Sequence, residues 1–469
     1  MSDRQDFRYA LNLLQQSGRV TTVGGEVDPR FELPAVLAQI QDESAVVFEK
    51  VKGYKAKAVG NLVNRPNYAV SCGLAPTLEA SLAQITAGLK QPVPAVMVAD
   101  APCREVIVTE NIDVMKLMPV TTYFEHEAGP YITAGIVVAK DPETGKRNVS
   151  MNRLLVLGPD RLMIGMSPSH HLYQLMVKAA GLGRALEVSV AIGSHPAVLV
   201  AANAYVDLGV DEFEIAGGML GEPLTLSPGV TVDVEVPAGS EIVIEAEFVP
   251  EELHEEGWVS EFHGMYVDYG KSPVLKVKAV THRHDPYYQV ILPGKYQEHF
   301  LIGAMAIETT LLSHIRRAVP GTKAVLVTEG GMGRCHAVVS IKGARPGEGQ
   351  KAVFAAFAHC NLIKQVTVVD DDIKIDNPTE VEWAVAARMR AEQDLMVIPG
   401  VRTDRADPLV DGGTVTKLGI IALRRPTALP LAEIPREVMD KVGKQWPSYE
   451  IRKAVPRGAS LTDTGQPEV

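Results

Sequence analysis

The sequence predicts an α/β (α+β) protein in three parts: an N-terminal α/β segment, a central barrel-like β domain and a C-terminal α/β domain. Three observations carry this. Helical apolar spacing marks the first hundred residues, period-two alternation marks the middle, and helices alternate with strands in the last third. The parts are 1–112, 113–305 and 306–469, in keeping with the two or three domains expected of 469 residues.

In the first part, Ser2 or Asp3 caps a helix that sets Phe7, Leu11 and Leu14 on one face and ends at Gly18. A second helix carries Leu33, Val36, Leu37 and Ile40. Thr77 caps a third, with Leu78, Leu82, Ile85 and Leu89 at helical spacing. Ala45-Val-Val-Phe and Ala58-Val-Gly-Asn read as strands, and Gln91-Pro-Val-Pro-Ala as a connector.

In the middle, Tyr131 to Ala139 leads into the turn Asp141-Pro-Glu-Thr-Gly-Lys-Arg, and Leu154 to Leu157 leads out. This is a hairpin with a polar patch, Asn148 to Arg153, on its second strand. Val230, Val232, Val234 and Val236 alternate with polar residues, as do Ile242, Ile244, Ala246 and Phe248, so both runs read as half-buried antiparallel strands. Leu275–Val280 and Tyr287–Leu292 read as a further pair. In the last part, helices at 303–318 and 348–359 precede strands at 324–327 and 366–369, and Asn377-Pro-Thr-Glu opens another helix. A largely parallel sheet is expected there, and a frayed tail after Arg452.

Composition narrows the function. Hydrophobic residues make up 46% and charged residues 22%, as in an ordinary soluble globular protein. The net charge of −11 argues against a nucleic acid or an anionic membrane as the main partner. No apolar run is long enough to span a bilayer. The first residues are unlike a transit peptide, and Cys72, Cys103, Cys335 and Cys360 lack C-x-x-C spacing. A cytoplasmic protein with reduced thiols is the expectation.

Several residues can carry chemistry. Asn148 offers a neutral oxygen to a metal or a hydrogen bond to an acceptor, and Arg153 a planar charged fork for a carboxylate or phosphate. Ser-His-His at 169–171 and Leu-Gly-Glu at 220–222 offer partners. Asn148, His171 and Glu222 together would suit Mn²⁺ or Mg²⁺ better than structural zinc. Glu256 and Glu261, beside Trp258 and Phe262, are two carboxyls whose pKa values can split, one ionised and one holding a proton. Arg153 between them would make a Glu-Arg-Glu network. No Walker-type loop is present, and Gly330-Gly-Met-Gly lacks the context of a dinucleotide fingerprint.

Together these stretches resemble the UbiD-type decarboxylases. The resemblance runs from Glu26-Val-Asp-Pro and Val51-Lys-Gly-Tyr through Asp113-Val-Met-Lys-Leu-Met-Pro, Gly129-Pro-Tyr-Ile-Thr and Lys140-Asp-Pro-Glu-Thr-Gly-Lys-Arg-Asn. It continues in Leu220-Gly-Glu, the 256–264 loop and Val369-Asp-Asp-Asp-Ile. It implies a central split β-barrel that binds prenylated FMN and a C-terminal α/β domain that makes oligomer contacts. It implies Arg153, Glu256 and Glu261 as the catalytic set, with Glu261 as proton donor and its pKa raised. By the same resemblance, Asn148, Ser150, Met151, Asn152, Arg153, Met166, Ser167, Pro168, His170, His171 and Glu222 meet the cofactor. Asn148, His171 and Glu222 would hold Mn²⁺ or another divalent ion, with K⁺ as a possible further ion.

The activity implied is reversible, non-oxidative decarboxylation of an α,β-unsaturated or (hetero)aromatic carboxylic acid to CO₂. A flavin prenyltransferase would supply the cofactor, and the chain would form a homodimer or higher homo-oligomer. A flavin-dependent oxidoreductase with a split-barrel flavin site is the competing expectation. Two departures stand out. Asn152 replaces the aliphatic or aromatic residue that many members carry before the arginine. Phe357-Ala-His-Cys stands where some members carry a lysine for the cofactor phosphate.

Overall fold

Alternation builds the central sheet, and it buries both faces. In the strand Ile136–Lys140, Ile136 and Val138 enter one apolar cluster while Val137 and Ala139 enter another. In the strand Ile242–Glu255, Ile242, Ile244 and Ala246 face the second cluster and Val243 the first. The computed structural model describes residues 2–41, 44–425, 427, 429–432 and 434–449. Residues through Leu423 make one compact unit and those from Arg424 another, which contains the helix Arg436–Lys444. The expected frayed tail after Arg452 lies outside the described residues.

The central sheet has nine strands, all paired antiparallel. Its path runs Tyr131–Ile132, Leu154–Gly158, Arg161–Ile164, Lys271–His282, Ile242–Glu255, Glu187–Ile192, Ile136–Lys140 and Arg147–Met151. Val106–Val108 pairs beside Lys271–His282. Among the described residues no ladder joins the two ends, so the barrel-like domain is an open sheet in its hydrogen bonding. The expected hairpin is present, with Ala139 opposite Asn148.

Several local expectations need correction. The strand at 242–248 is not half-buried, because its outward acids are also enclosed. Glu241 accepts from Arg8 Nε at 2.7 Å, and Glu245 accepts from the backbone N–H groups of Val230 and Thr231 at 2.6 Å each. Those same bonds explain why Val230–Glu235 is not a strand. Side chains take the amides of Val230, Thr231 and, through Glu187, Asp233, and only Val236–Pro237 joins a ladder, although Val232 and Val234 are buried as their alternation implied. Tyr287–Gln289 does not pair with Leu275–Val280. It runs parallel to Lys57–Gly60 in a separate four-stranded sheet, after Asp285 turns the chain at φ 49°. The first helix, Phe7–Gln16, is capped by Asp6 rather than Ser2 or Asp3.

The C-terminal sheet is mixed. His336–Ile341, Gln365–Asp370 and Thr414–Ala422 are parallel, while the edge strands Thr322–Val327 and Leu395–Arg402 are antiparallel. The helix before it is longer than its apolar spacing indicated, Gln297–Ala318. Its Ile302 and Met305 pack with the N-terminal and central residues, and Leu301 and Ile307 with the C-terminal sheet. One helix therefore serves two cores.

A buried ion pair fixes that helix. Glu308, with no side-chain exposure, takes both terminal nitrogens of Arg65 at 2.6 and 3.0 Å and the Val327 amide at 2.8 Å. Removing one partner leaves an uncompensated buried charge. Glu308→Ala is expected to destabilise the fold by about 3–5 kcal/mol, read as a lowered denaturation midpoint. A midpoint equal to that of the parent would show the pair to be dispensable.

Candidate active site

Arg153 sits where the chain leaves one ladder for another. The strand Arg147–Met151 ends just before it, and Leu154–Gly158 pairs elsewhere. Asn152 secures the junction: its side-chain amide donates to Gly165 O at 3.1 Å and accepts from Ser150 Oγ at 2.8 Å. The departure at Asn152 is thus a backbone staple. Gly165 matters for a second reason. A Cβ there would lie 2.9 Å from Arg153 Nε and 3.0 Å from Cζ, so only glycine lets the guanidinium lie against this backbone.

Two carboxyls reach Arg153 from a single stretch. Glu256 follows the long strand Ile242–Glu255 and accepts from Nε at 2.6 Å and Nη2 at 2.8 Å, with its side chain fully buried. Glu261 follows Trp258–Ser260, in a hairpin with Tyr266–Asp268, and accepts from Nη1 at 3.2 Å. Burial pushes the Glu261 carboxyl up, but the Arg153 charge, His299, the Phe262 amide and Tyr269 together outweigh it and hold the group below its usual value. The expectation of a raised pKa therefore fails for the resting site, where Glu261 is ionised. Arg153 is held above its ordinary value against burial by the two carboxylates.

Arg153 and Glu261 line a cavity of ≈ 150 Å³ with Glu127, Tyr131, Thr133, Asn152, His170, Val259, Ile291, Pro293 and His299. Burial pushes the Glu127 carboxyl up to about 7 and the His299 imidazole down to about 4. The ring of Tyr269 lies between two guanidinium groups, 5.3 Å from Arg153 Cζ and 4.4 Å from Arg405 Cζ.

A second cavity of ≈ 460 Å³ shares Met151, Asn152 and His170 with the first. It is also lined by Asn148, Ser150, Ser169, His171, Asn203, Glu212, His359 and Asp404. This is ligand-sized, and its lining holds no lysine or arginine. Met166, Ser167 and Pro168 lie outside both linings, in the turn from Gly165 to Ser169, where Ser167 N donates to His170 Nδ1 at 3.3 Å.

Glu222 does not line this cavity. It follows the helix Glu212–Leu220, beyond the left-handed Gly221, whereas Glu212 opens that helix. Eight steps of about 1.5 Å separate the helix ends by about 12 Å. The structure brings Glu212, not Glu222, to Asn148 and His171. The Glu212 carboxylate accepts from Val149 N at 2.8 Å, and burial pushes it up to about 8. Among the described residues no cluster of three His, Cys, Asp or Glu could hold a metal, since the set includes an asparagine.

Sequence reasoning missed Glu127, Glu212 and His299. Glu212 stands in Asp-Glu-Phe-Glu, which looks like the acidic first turn of any helix, and Glu127 follows two exposed residues. His299 gave no partner in sequence because it lies in the first turn of the long helix Gln297–Ala318.

A half-buried arginine shared by two carboxyls, beside a ligand-sized polar cavity, is the centre of an acid–base enzyme. Three domain profiles of the 3-octaprenyl-4-hydroxybenzoate carboxy-lyase family match the chain: the N-terminal domain over 11–85, the Rift-related domain over 95–296 and the C-terminal domain over 300–422. The chain belongs to this family, the UbiD carboxy-lyases.

It is similar to the UbiD-class enzyme HmfF of Pelotomaculum thermopropionicum. A structure of that enzyme with FMN is 42% identical, covers 93% of this chain and 98% of the other, and has a TM-score of 0.89. An evolved dimeric form of it with prFMN is 41% identical over the same shares, with a TM-score of 0.86. The apo 3,4-dihydroxybenzoic acid decarboxylase of Klebsiella pneumoniae is 26% identical over 93% of this chain and 99% of its own, with a TM-score of 0.85. The anhydromevalonate phosphate decarboxylase of Methanosarcina mazei is 33% identical over 89% of this chain and 96% of its own.

Gly165→Ala tests the close approach of Arg153. The added methyl displaces the guanidinium, so CO₂ release is expected to fall on the order of 10²-fold, as for a misplaced catalytic group. The melting temperature should fall as well, because the displaced guanidinium no longer compensates buried Glu256. Wild-type release by this variant would show that the contact does not set the site.

Proposed function

We propose that the chain decarboxylates, reversibly and without oxidation, a small α,β-unsaturated or (hetero)aromatic carboxylic acid with the help of prenylated FMN. The observation that carries this reading is the Arg153 fork, tied to buried Glu256 and to Glu261 in the wall of a cavity that adjoins a larger polar one. A cavity of about 150 Å³ accommodates a molecule the size of benzene, so the substrate has about one ring. The solved prFMN complex of the similar HmfF enzyme supports the cofactor.

Prenylated FMN, when bound, supplies the electron sink that side chains lack. The protein supplies orientation and protons. Arg153 holds the substrate carboxylate through Nη1, which Glu261 takes at rest, while Glu256 keeps the guanidinium in place. The bond between carbon and carboxylate breaks, CO₂ leaves, and one proton goes to the vacated carbon. Glu261 delivers it. A substrate carboxylate on Arg153 competes with Glu261 for the cation, which favours the protonated carboxyl at that moment.

The larger cavity fits a cofactor phosphate held through a divalent cation, Mn²⁺ or similar. Asn148 Nδ2 is buried with no hydrogen-bond partner. Rotating the amide places its oxygen there instead, which is what a cation requires. His171 and Glu212 complete a nitrogen-and-oxygen donor set on the same wall. The same reading takes the cofactor from a flavin prenyltransferase and the chain as a homo-oligomer.

Three variants test the site. Glu212→Gln replaces an anionic ligand by a weak neutral one, and should lose bound metal and flavin when the purified protein is assayed for both. Glu222→Gln should keep both, and the reverse pattern would restore Glu222 as the ligand. Glu261→Gln keeps size and hydrogen bonding but cannot give a proton. It should keep its flavin spectrum and lose about 10²–10⁴-fold in CO₂ release. Turnover at the parental rate would remove Glu261 as donor.

A further inference from the structure

Each decarboxylation takes up one proton, and the proposed donor is enclosed. Glu256 is fully buried, and Glu261 has only 13% of its side chain exposed. A route from water to Glu261 is therefore needed at every turnover. We propose that Glu127 is that route: it takes a proton from solvent and passes it to Glu261, acting as a positioning residue for the proton. This rests on Glu261 as the donor.

The placement is specific. Glu127 and Glu261 line the same small cavity. Glu127 Oε1 lies 3.5 Å from the amide of Ser260, the residue before Glu261. Its Oε2 accepts from the amides of Tyr123 and Phe124 at 3.3 and 3.2 Å. The carboxyl is thus held against the cavity wall by its backbone neighbours, with one oxygen only weakly engaged. Glu127 is only half-buried, and its chain neighbours Glu125, His126 and Ala128 are exposed, so water reaches this segment while Glu127 also lines the cavity that Glu261 lines.

Its chemistry suits the task better than that of its neighbours. The charged and titratable groups around it are Arg153, Tyr131, Tyr123, Glu261, His299 and His170, whose imidazole burial pushes down. Burial raises both tyrosines, so they keep their protons. His299 is pushed down to about 4 and its Nδ1 faces the Gly294 amide at 3.1 Å, so it is neutral. Glu127, pushed up to about 7 by burial against three amides and Arg153, is the carboxyl that gains and loses a proton near neutrality. In the relay, water loses a proton to the Glu127 carboxylate. Glu127 then gives one to Glu261 across the cavity, and Glu261 gives one to carbon. Each transfer breaks one bond to hydrogen and makes one, so one proton enters for each CO₂ that leaves.

Exchange separates proton supply from everything else. Cleavage and re-formation of the carboxyl bond need no proton, so the substrate carboxyl can trade with labelled bicarbonate while net release cannot proceed. The holoenzyme, co-expressed with a flavin prenyltransferase, is given the fastest-released acid from a panel of one-ring heteroaromatic and acrylic acids, with ¹³C-bicarbonate. Glu127→Gln should keep carboxyl exchange within about twofold of the parent and lose net CO₂ release by about tenfold or more. Parental kcat should fall as pH rises through about 7, because Glu127 loses its proton there. That limb should be absent in Glu127→Gln and return in Glu127→Asp, which keeps a titrating carboxyl. Exchange and release falling together, or release unchanged, would overturn the relay. Glu261→Gln in the same assay tests the underlying reading separately: release lost with exchange kept supports it, and release at the parental rate defeats it whatever Glu127 does.

Discussion

The site depends on one half-buried cation that has to be compensated. Arg153 is drawn against Gly165 and gripped at two nitrogens by a carboxylate that water does not reach. An isolated charge in that position would be prohibitive. Its partners come from far along the chain, so the strand junction at Asn152, the end of the strand Ile242–Glu255 and the hairpin after Trp258 must meet for it to be satisfied. Two carboxylates on one guanidinium leave the group with a net negative charge. At rest the cation holds Glu261 ionised, and a further anion on Arg153 weakens that hold and favours the protonated carboxyl. In the proposed chemistry, substrate binding itself prepares the acid.

Much of this was legible in the sequence. The hairpin around Asp141–Arg147, the polar run Asn148–Arg153 and the pair Glu256 and Glu261 could be picked out by turn chemistry and residue type. What could not be read was enclosure. Val230–Val236 alternates like a strand and is buried like one, yet Glu245 takes its amides, and a pattern of side chains does not say where backbone bonds go. Glu222 sits beside glycines in Leu-Gly-Glu, while Glu212 has the sequence of an ordinary helix-start acid. They lie at opposite ends of one helix, and only the fold says which end meets Asn148. Glu127 follows exposed Glu125 and His126 and reads as surface until the cavity behind it is seen.

Buried carboxyls are common in this chain, so burial alone does not mark chemistry. Glu298 is pushed up to about 7, yet it accepts from the amides of Asn61 and Val63 at 2.8 and 3.0 Å and lines neither cavity. Glu308 and Glu245 are bound at 2.6 to 3.0 Å and hold elements together. Short, fully used acceptors of this kind tie together the elements that donate to them. Glu261 and Glu127 differ in kind. Their bonds run from 3.2 to 3.5 Å, and both carboxyls edge the space where a substrate would lie. A carboxyl held in place but loosely bonded loses little when it takes a proton and little when it gives it up. Loose bonding inside a rigid frame is what a proton path requires, and in this fold the frame is supplied by the tightly bonded acids around it.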